Sequence, residues 1–214
     1  MRKEHNISTE IPLPNGFTRL NYIESTGTQY IDTGYYVGNK KTRIVADFIK
    51  KSPLYERGVL FACCSPSDNQ AFFNPYYGTT FGNNCSSLAF YALGRSLISV
   101  IPSRLNTHVL FDVTVDIPNS TAYVHVEQGN DILQFDTNTS TIYNNSIGLL
   151  AQHSGTTFNA KVSAQLYKFE IYENDILAHN FIPAKRDSDD AVGLYDVIAG
   201  QFMINNGTGN FLYN

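Results

Sequence analysis

The chain has 214 residues, a net charge of −4, 16 % charged residues and 13 % aromatic residues. This length suits one large β-sandwich domain, since such folds run to about 200–250 residues. The acidic balance offers no basic surface for nucleic acid, and no apolar stretch is long enough to insert into a membrane.

Residues 1–16 are predicted to form an extended arm, because two prolines disfavour other structure and a glycine ends the segment. The segment has too little apolar surface to order itself against the loss of backbone entropy. Its three aliphatic side chains are therefore expected to bind a partner chain: Ile7, Ile11 and Leu13. Residues 17–214 are expected to form a single domain.

From Phe17 onward, short apolar runs separated by turn residues predict about a dozen strands and no amphipathic helix. Alternation in three segments predicts one buried face, formed by Ile44, Ala46, Phe48, Val109, Phe111, Val113, Val115, Ala122, Val124 and Val126. The continuous apolar run 59–62 is typical of a strand buried on both sides.

The second half of the chain gives further strand signals. Segments 88–93 and 97–101 flank a short turn and predict a hairpin. In the long run 161–172 the apolar phase slips at Leu166 and Tyr167, which indicates a β-bulge. Asn174 and Asp175 then turn the chain into the strand 176–182.

Together these patterns predict an all-β fold, a two-sheet antiparallel β-sandwich. Its core is expected to contain Phe48, Phe61, Phe111, Val113, Val124, Leu166 and Phe169. The cysteines, at positions 63, 64 and 85, show no metal-ligand spacing and are interpreted as reduced packing residues.

Two stretches resemble a known family. One is GFTRLNYIESTGTQYIDTG at 16–34, and the other combines FIPAKR at 181–186, VGLYD at 192–196 and NGTGNF at 206–211. They resemble the concanavalin A-like, laminin-G-like jelly-roll modules of gut bacterial surface proteins and of the phages that infect those bacteria. The resemblance implies a two-sheet jelly roll with the N- and C-terminal segments adjacent in one sheet.

The motif residues themselves are interpreted as fold determinants, because turn chemistry explains their types. Tyr22, Ile23, Tyr30 and Ile31 are apolar anchors around the polar turn 25–28. Gly193 and Gly200 are expected in tight turns. The carboxylate of Asp196, at a strand end, is expected to accept turn amides.

Catalysis is not expected. Glu170 and Glu173 are three residues apart in a predicted strand and so point to opposite faces. Asp112 and Asp116 share a face, but about 13 Å separates them, too far for a glycosidase pair. No nucleophile motif occurs, and His125 is interpreted as a solvated surface residue.

Carbohydrate binding would use aromatic platforms on loops and strand ends. The candidate residues for such a site are Tyr35, Tyr36, Tyr76, Tyr77 and Asn83. The chain lacks Trp, the largest stacking surface, which weakens this interpretation.

One acidic loop offers hard oxygen ligands for calcium, the only cofactor that the sequence suggests: Asp187, Asp189 and Asp190. A solvated turn is the favoured interpretation, because Ca²⁺ takes about six to eight oxygens and the loop supplies few.

Two functions follow from these observations. The first is a non-enzymatic phage virion protein, namely a capsid decoration, head-fibre or tail-associated protein, made in the host cytoplasm. Its jelly roll would assemble with other virion proteins, or with itself through the arm, or attach to host-surface glycans. The alternative is a carbohydrate-binding module of a bacterial cell-surface protein. The charged N-terminus lacks the apolar core of a signal peptide, which favours the virion protein.

Overall fold

A computed structural model describes residues 11–51, 58–64, 73–77, 87–92, 95–102, 105–126, 131–136 and 144–214. Within these ranges every regular element is a β-strand, which confirms the all-β prediction. None of the described residues forms a helix with the length and apolarity needed to cross a bilayer.

The strands of the described ranges vary in length from 2 to 11 residues. In chain order they are β1 (Phe17–Arg19), β2 (Ile23–Thr26), β3 (Ile31–Tyr36), β4 (Lys41–Lys50), β5 (Gly58–Val59), β6 (Phe61–Cys64), β7 (Phe73–Tyr77), β8 (Ser87–Ala92), β9 (Arg95–Pro102), β10 (His108–Asp116), β11 (Thr121–Val126), β12 (Asp131–Asp136), β13 (Ser146–Leu149), β14 (Gln152–Ser154), β15 (Thr157–Asn159), β16 (Ser163–Glu173), β17 (Ile176–Arg186), β18 (Val192–Asp196), β19 (Gln201–Ile204) and β20 (Leu212–Tyr213).

The strands form a large sheet and two smaller ones. The large sheet has the order β12-β11-β10-β4-β16-β17-β18-β19, with β1 on β17, β2 on β16 and β20 on β2. The small sheet has the order β15-β14-β6-β13-β3, and a third sheet, β5-β7-β8-β9, lies beside it through contacts between β6 and β7. Pairing is antiparallel except between β14 and β6.

Aromatic rings join the large and small sheets face to face. Phe61 of β6 contacts three rings of the large sheet, those of Phe48, Phe111 and Phe169, with centroids 5.2–6.1 Å apart. The seven residues predicted for the core are all at most 1 % exposed, which confirms that prediction. Alternation identified six of them because one face of each strand must leave water, and Phe61 was expected from the continuous apolar run 59–62.

Local details of β16 also follow the sequence. The pairing of β16 with β4 shifts register between Leu166 and Lys168, which confirms the predicted bulge. Asn174 and Asp175 have φ angles of 47° and 68° and turn β16 into β17. Both residue types tolerate this left-handed conformation, as hairpin turns require.

The two ends of the described chain meet in the large sheet, as the family resemblance implied. β1 pairs with β17, and β2 lies between β16 and β20. Gly207 comes so close to β2–β3 that a Cβ added there would lie 2.1 Å from the carbonyl oxygen of Thr28. Any side chain at this position would push the two terminal segments apart.

The expectation for one of the two glycines was wrong. Gly193 is not in a tight turn but inside β18, where an added Cβ would meet the carbonyl oxygen of Met203 at 2.0 Å. A glycine is required at this position because β19 lies too close for a side chain. Gly200 has φ 68° and does form a turn. Asp196 accepts the turn amide of Ile198, as predicted, and also the amide of Asn180 in β17.

The described part of the arm contacts its own domain. Arg19 Nη2 donates to the carbonyl oxygen of Ile11 at 2.6 Å, and Ile11 remains 39 % exposed while Leu13 is half-buried. Ile7 lies outside the described residues. Binding of the arm to a partner chain stays a prediction.

Candidate functional site

The outer face of the small sheet carries an open group of aromatic and polar side chains. Alternation along β3 turns Ile31, Thr33 and Tyr35 toward the core. The opposite phase points outward and consists of Tyr30, Asp32, Gly34 and Tyr36. Tyr36 is 57 % exposed, and an added Cβ at Gly34 would meet nothing within 4 Å, so the face is open between the two tyrosines. These residues span about 20 Å of strand.

Three rings stack at one end of this face. Phe158 of β15 lies between Tyr30, at 4.5 Å, and His153 of β14, at 4.0 Å, with an angle of 21° between the planes of each pair. Phe158 also occupies the space above Gly148, where an added Cβ would approach its ring to 2.9 Å. The glycine therefore allows the phenyl ring to lie against the strand.

A hydrogen-bonded cluster fixes Asp32 beside the rings. Ser146 donates from Oγ to Asp32 Oδ1, and the backbone N–H of Gly34 donates to the same oxygen at 3.0 Å. His153 Nδ1 lies 3.0 Å from Ser146 Oγ and 3.1 Å from the Ser146 carbonyl oxygen. Among the described residues neither bond to Asp32 uses Oδ2, which leaves that oxygen as an acceptor for a ligand.

The cluster of Ser146, His153 and Asp32 is not arranged as a nucleophile. The carbonyl oxygen of Ser146 can only accept, so His153 Nδ1 must carry a proton to bond to it. A protonated Nδ1 cannot take a proton from Ser146, whose own hydroxyl already donates to Asp32. The serine is also 1 % exposed, so this arrangement orients a carboxylate.

A cleft of about 320 Å³ adjoins the ring stack. Its walls are mostly small or polar: Gly27, Thr28, Tyr30, Lys161, Asn206, Gly207 and Thr208. Lys161 Nζ lies 5.2 Å from the centroid of the Tyr30 ring and donates to the carbonyl oxygen of Phe158 at 3.1 Å. Lys161 is the one formally charged residue type in this lining.

The two terminal motifs build the cleft together. The N–H of Asp32 donates to Asn206 Oδ1 at 2.9 Å, and the N–H of Asn206 donates to the carbonyl oxygen of Tyr30 at 2.9 Å. Thr28 Oγ1 donates to the carbonyl oxygen of Thr208 at 2.9 Å. The motif residues thus determine the fold, as interpreted, and also form the wall of a cleft.

The outer face of the large sheet differs in that its charges are paired with each other. Arg43 binds both oxygens of Asp112 at 2.7 Å and lies 5.0 Å from the ring centroid of Tyr172. The Tyr172 hydroxyl donates to Glu170 at 2.9 Å, and Lys168 lies 3.0 Å from the same carboxylate. Burial, together with the hydrogen bond to Glu170, raises the pKa of Tyr172 to about 12.

A groove of about 520 Å³ runs along this face, between the N-terminal segment and β16–β17. Its lining includes Ile11, Arg19, Glu170 and Asn180. Because the Glu170 carboxylate and one Arg19 nitrogen already have partners in the chain, the groove presents fewer open charged groups than its size suggests.

Of the residues predicted to bind carbohydrate, Tyr36 lies on the open face of the small sheet. The prediction that Tyr35 forms part of an aromatic platform for carbohydrate is wrong, because alternation along β3 turns its ring inward and leaves it 5 % exposed. Tyr76 and Tyr77 belong to β7, in the sheet beside β6, and their side chains lie outside the described part. Asn83 also lies outside the described residues.

Tyr35 belongs instead to a polar cluster at one end of the core. Its ring meets His179 edge-on at 5.2 Å, and Lys40 Nζ lies 5.2 Å from its centroid. Burial raises the pKa of Tyr35. Burial alone would also raise the pKa of Glu173, but hydrogen bonds from Lys40 and Tyr35 outweigh it and lower that pKa.

The calcium candidates are engaged in side-chain contacts. Asp187 accepts from Thr18 Oγ1 at 2.8 Å, Asp189 from Arg186 and Asp190 from Lys185. The hydrogen bond from Arg186 lowers the pKa of Asp189. In the part of the chain that the structure describes, no three His, Cys, Asp or Glu side chains form a group suited to a metal ion.

Several residues of the open face were missed at the level of sequence. Tyr30, Asp32 and Asn206 stood inside the motifs but had been interpreted as fold determinants only. His153 and Phe158 belong to the β14–β15 hairpin, which no sequence pattern marks, and Lys161 begins the run 161–172, whose pattern predicts only a strand. Their proximity to β3 depends on long-range pairing.

No protein-family model matches the chain, and no curated protein matches it. Among solved structures, a candidate carbohydrate-binding protein of Bacteroides ovatus ATCC 8483 aligns with a TM-score of 0.63 and 11 % identity, covering 92 % of this chain and 60 % of that one. The chain thus spans about three fifths of that protein.

The CBM40 module of a Ruminococcus gnavus IT-sialidase aligns with a TM-score of 0.52 and 12 % identity, covering 75 % of this chain and 94 % of the module. Its structure bound to α2,3-sialyllactose aligns with a TM-score of 0.52 and 13 % identity, over 72 % and 90 %. These similarities place the chain in a class of β-sandwich folds that includes carbohydrate-binding domains.

Proposed function

We propose that the protein is a non-enzymatic carbohydrate-binding module and that the outer face of the small sheet is its binding surface. The observation that carries this proposal is the row Tyr30, Asp32, Gly34 and Tyr36, which combines one exposed ring, one half-buried ring and an oriented carboxylate beside open space. The likeness in fold to the Bacteroides protein and to CBM40 supports it.

The chemistry of this face suits sugars. Rigid tyrosine rings offer apolar area to a sugar ring at low entropic cost. A few fixed polar groups then set orientation, as in other small-ligand sites. Asp32 Oδ2 is held in place by the bonds to Oδ1 and can accept from a hydroxyl. The large-sheet groove offers fewer such groups, because its network is internally paired.

A glycan microarray of the wild-type protein should identify ligands, and calorimetry should then measure two variants. Tyr36→Ala removes an exposed ring and should weaken binding about tenfold, the loss expected for about 1.4 kcal/mol of aromatic contact. Asp32→Asn keeps an acceptor for Ser146 and Gly34 but replaces Oδ2 by a donor, and should weaken binding by a similar factor.

Tyr123→Ala is the matched control, since Tyr123 is 37 % exposed on the outer face of the large sheet. It should leave glycan affinity unchanged. Binding lost in Tyr123→Ala but kept in Tyr36→Ala would move the site to the large sheet, and a wild-type protein that binds no glycan would refute the proposal.

A virion role remains a separate prediction that depends on the arm, residues 1–16. A carbohydrate-binding module is compatible with either a virion or a cell surface, since both expose domains to glycans. The proposed surface lies on the small sheet, whereas Ile11 lines the groove on the large sheet, so the two predictions are tested by different variants.

A further inference from the structure

The cleft beside the ring stack differs from the rest of the small-sheet face in its charge. It contains one formal cation, Lys161, and no carboxylate belongs to its lining. Asp32, an acidic residue of the same face, accepts a hydrogen bond from Ser146 through Oδ1. The face therefore has a negative group in its middle and a positive group at the Tyr30 end.

The polar groups of the cleft are mainly available as donors. Lys161 uses one of its three N–H bonds on the carbonyl oxygen of Phe158, at 3.1 Å. Asn206 Oδ1 accepts from the N–H of Asp32, and this fixes the amide so that its NH₂ group is the free end. Thr208 is exposed and adds a hydroxyl.

A cavity with a cation and amide donors but without an ionised acceptor favours an anionic group, because each donor bonds more strongly to a charged oxygen. The size of about 320 Å³ suits one sugar ring. The Tyr30 ring forms one wall and can pack against the apolar side of such a ring.

We infer that the cleft binds the acidic sugar of a glycan, with Lys161 receiving its negative group. This inference rests on the proposed function, because the remainder of the glycan would lie along β3 toward Asp32 and Tyr36. The negative group is a sugar carboxylate or a sulfate ester, which share the chemistry that Lys161 and Asn206 recognise.

Three soluble probes test the inference by calorimetry: lactose, α2,3-sialyllactose and 3′-sulfolactose. The wild-type protein should bind at least one of the two anionic probes about tenfold more tightly than lactose, the preference expected for a hydrogen bond to a charged group. Comparison of the two anionic probes identifies the carboxylate or the sulfate as the source. The preference should shrink as the salt concentration rises from about 50 to about 500 mM, because salt screens the attraction between Lys161 and the anionic group.

Lys161→Met should lower the affinity for the preferred anionic probe to about that for lactose, and Lys161→Arg should retain most of the preference. Lys168→Met, on the outer face of the large sheet, is the matched control and should have no effect. Circular dichroism and a melting curve verify that each variant is folded.

Equal affinity for lactose and both anionic probes, or a preference that survives in Lys161→Met, would overturn the inference while the proposed function stands. Failure to bind any glycan, on the array or in solution, would instead count against the proposed function itself.

Discussion

The two outer faces of the sandwich have similar amino-acid types and different organisation. On the large sheet, Arg43, Asp112, Glu170 and Lys168 satisfy one another through ion pairs and hydrogen bonds. On the small sheet, Asp32 and Lys161 each have part of their hydrogen-bonding capacity open. Polar side chains on the face of a sheet are therefore candidates for ligand binding only where other residues of the chain leave part of their hydrogen-bonding capacity free.

The largest expected effect comes from truncating a ring in the core that the two faces share. Phe61→Ala should lower the free energy of unfolding by about 3–5 kcal/mol, because the ring contacts three others and leaves a cavity. Phe158→Ala makes the same truncation on the outer face and should cost only about 1–2 kcal/mol, since the ring is half-buried. Urea denaturation measures both.

Glycan affinity further distinguishes Phe158→Ala from Phe61→Ala. Phe158→Ala should reduce affinity although the domain stays folded, because the Tyr30 ring loses its stacking partner. An equal loss of stability in the two variants would mean that Phe158 belongs to the core and not to a binding surface.

A smaller effect is expected from the network on the large sheet. Arg43→Met removes the two bonds to Asp112 and should destabilise the domain by about 1 kcal/mol, the upper range for a well-oriented surface ion pair. Glycan affinity should be unchanged. Loss of glycan binding in Arg43→Met would assign binding to the large sheet and reverse the comparison.

The smallest effect is expected from pH, through Glu173 in the polar cluster at one end of the core. The pKa of Glu173 is lowered in the folded state below its ordinary value of 4.5, so the carboxylate stabilises the fold above that pH. This contribution disappears as pH falls through the folded pKa. Glu173→Gln should therefore lower the free energy of unfolding by less than about 1 kcal/mol at neutral pH.

Urea curves at successively lower pH measure the difference between wild type and Glu173→Gln. The two curves should converge once the wild-type carboxyl is protonated. A difference that persists unchanged in acid would show that Glu173 acts through its shape or its neutral hydrogen bonds.

Sequence alone determined the fold class, the core and several local features. Alternation identified Phe111 as buried because a half-buried strand has a period of two, and the continuous apolar run 59–62 identified Phe61. The bulge in β16 and the turn at Asn174 followed from a phase slip and from turn residues. These are local properties, so they are visible in a short stretch of chain.

Tertiary structure alone decided which side chains meet on the small-sheet face. Tyr35 and Tyr36 are neighbours in sequence, yet only Tyr36 is exposed, because side chains alternate between the two faces of β3. The sequence did not show which of the two tyrosines faces the core, since this strand has few apolar residues. Lys161 and Asn206 reach Tyr30 across more than a hundred residues. Sequence patterns report which residues leave water, whereas contacts between distant strands depend on the order and register of the sheets.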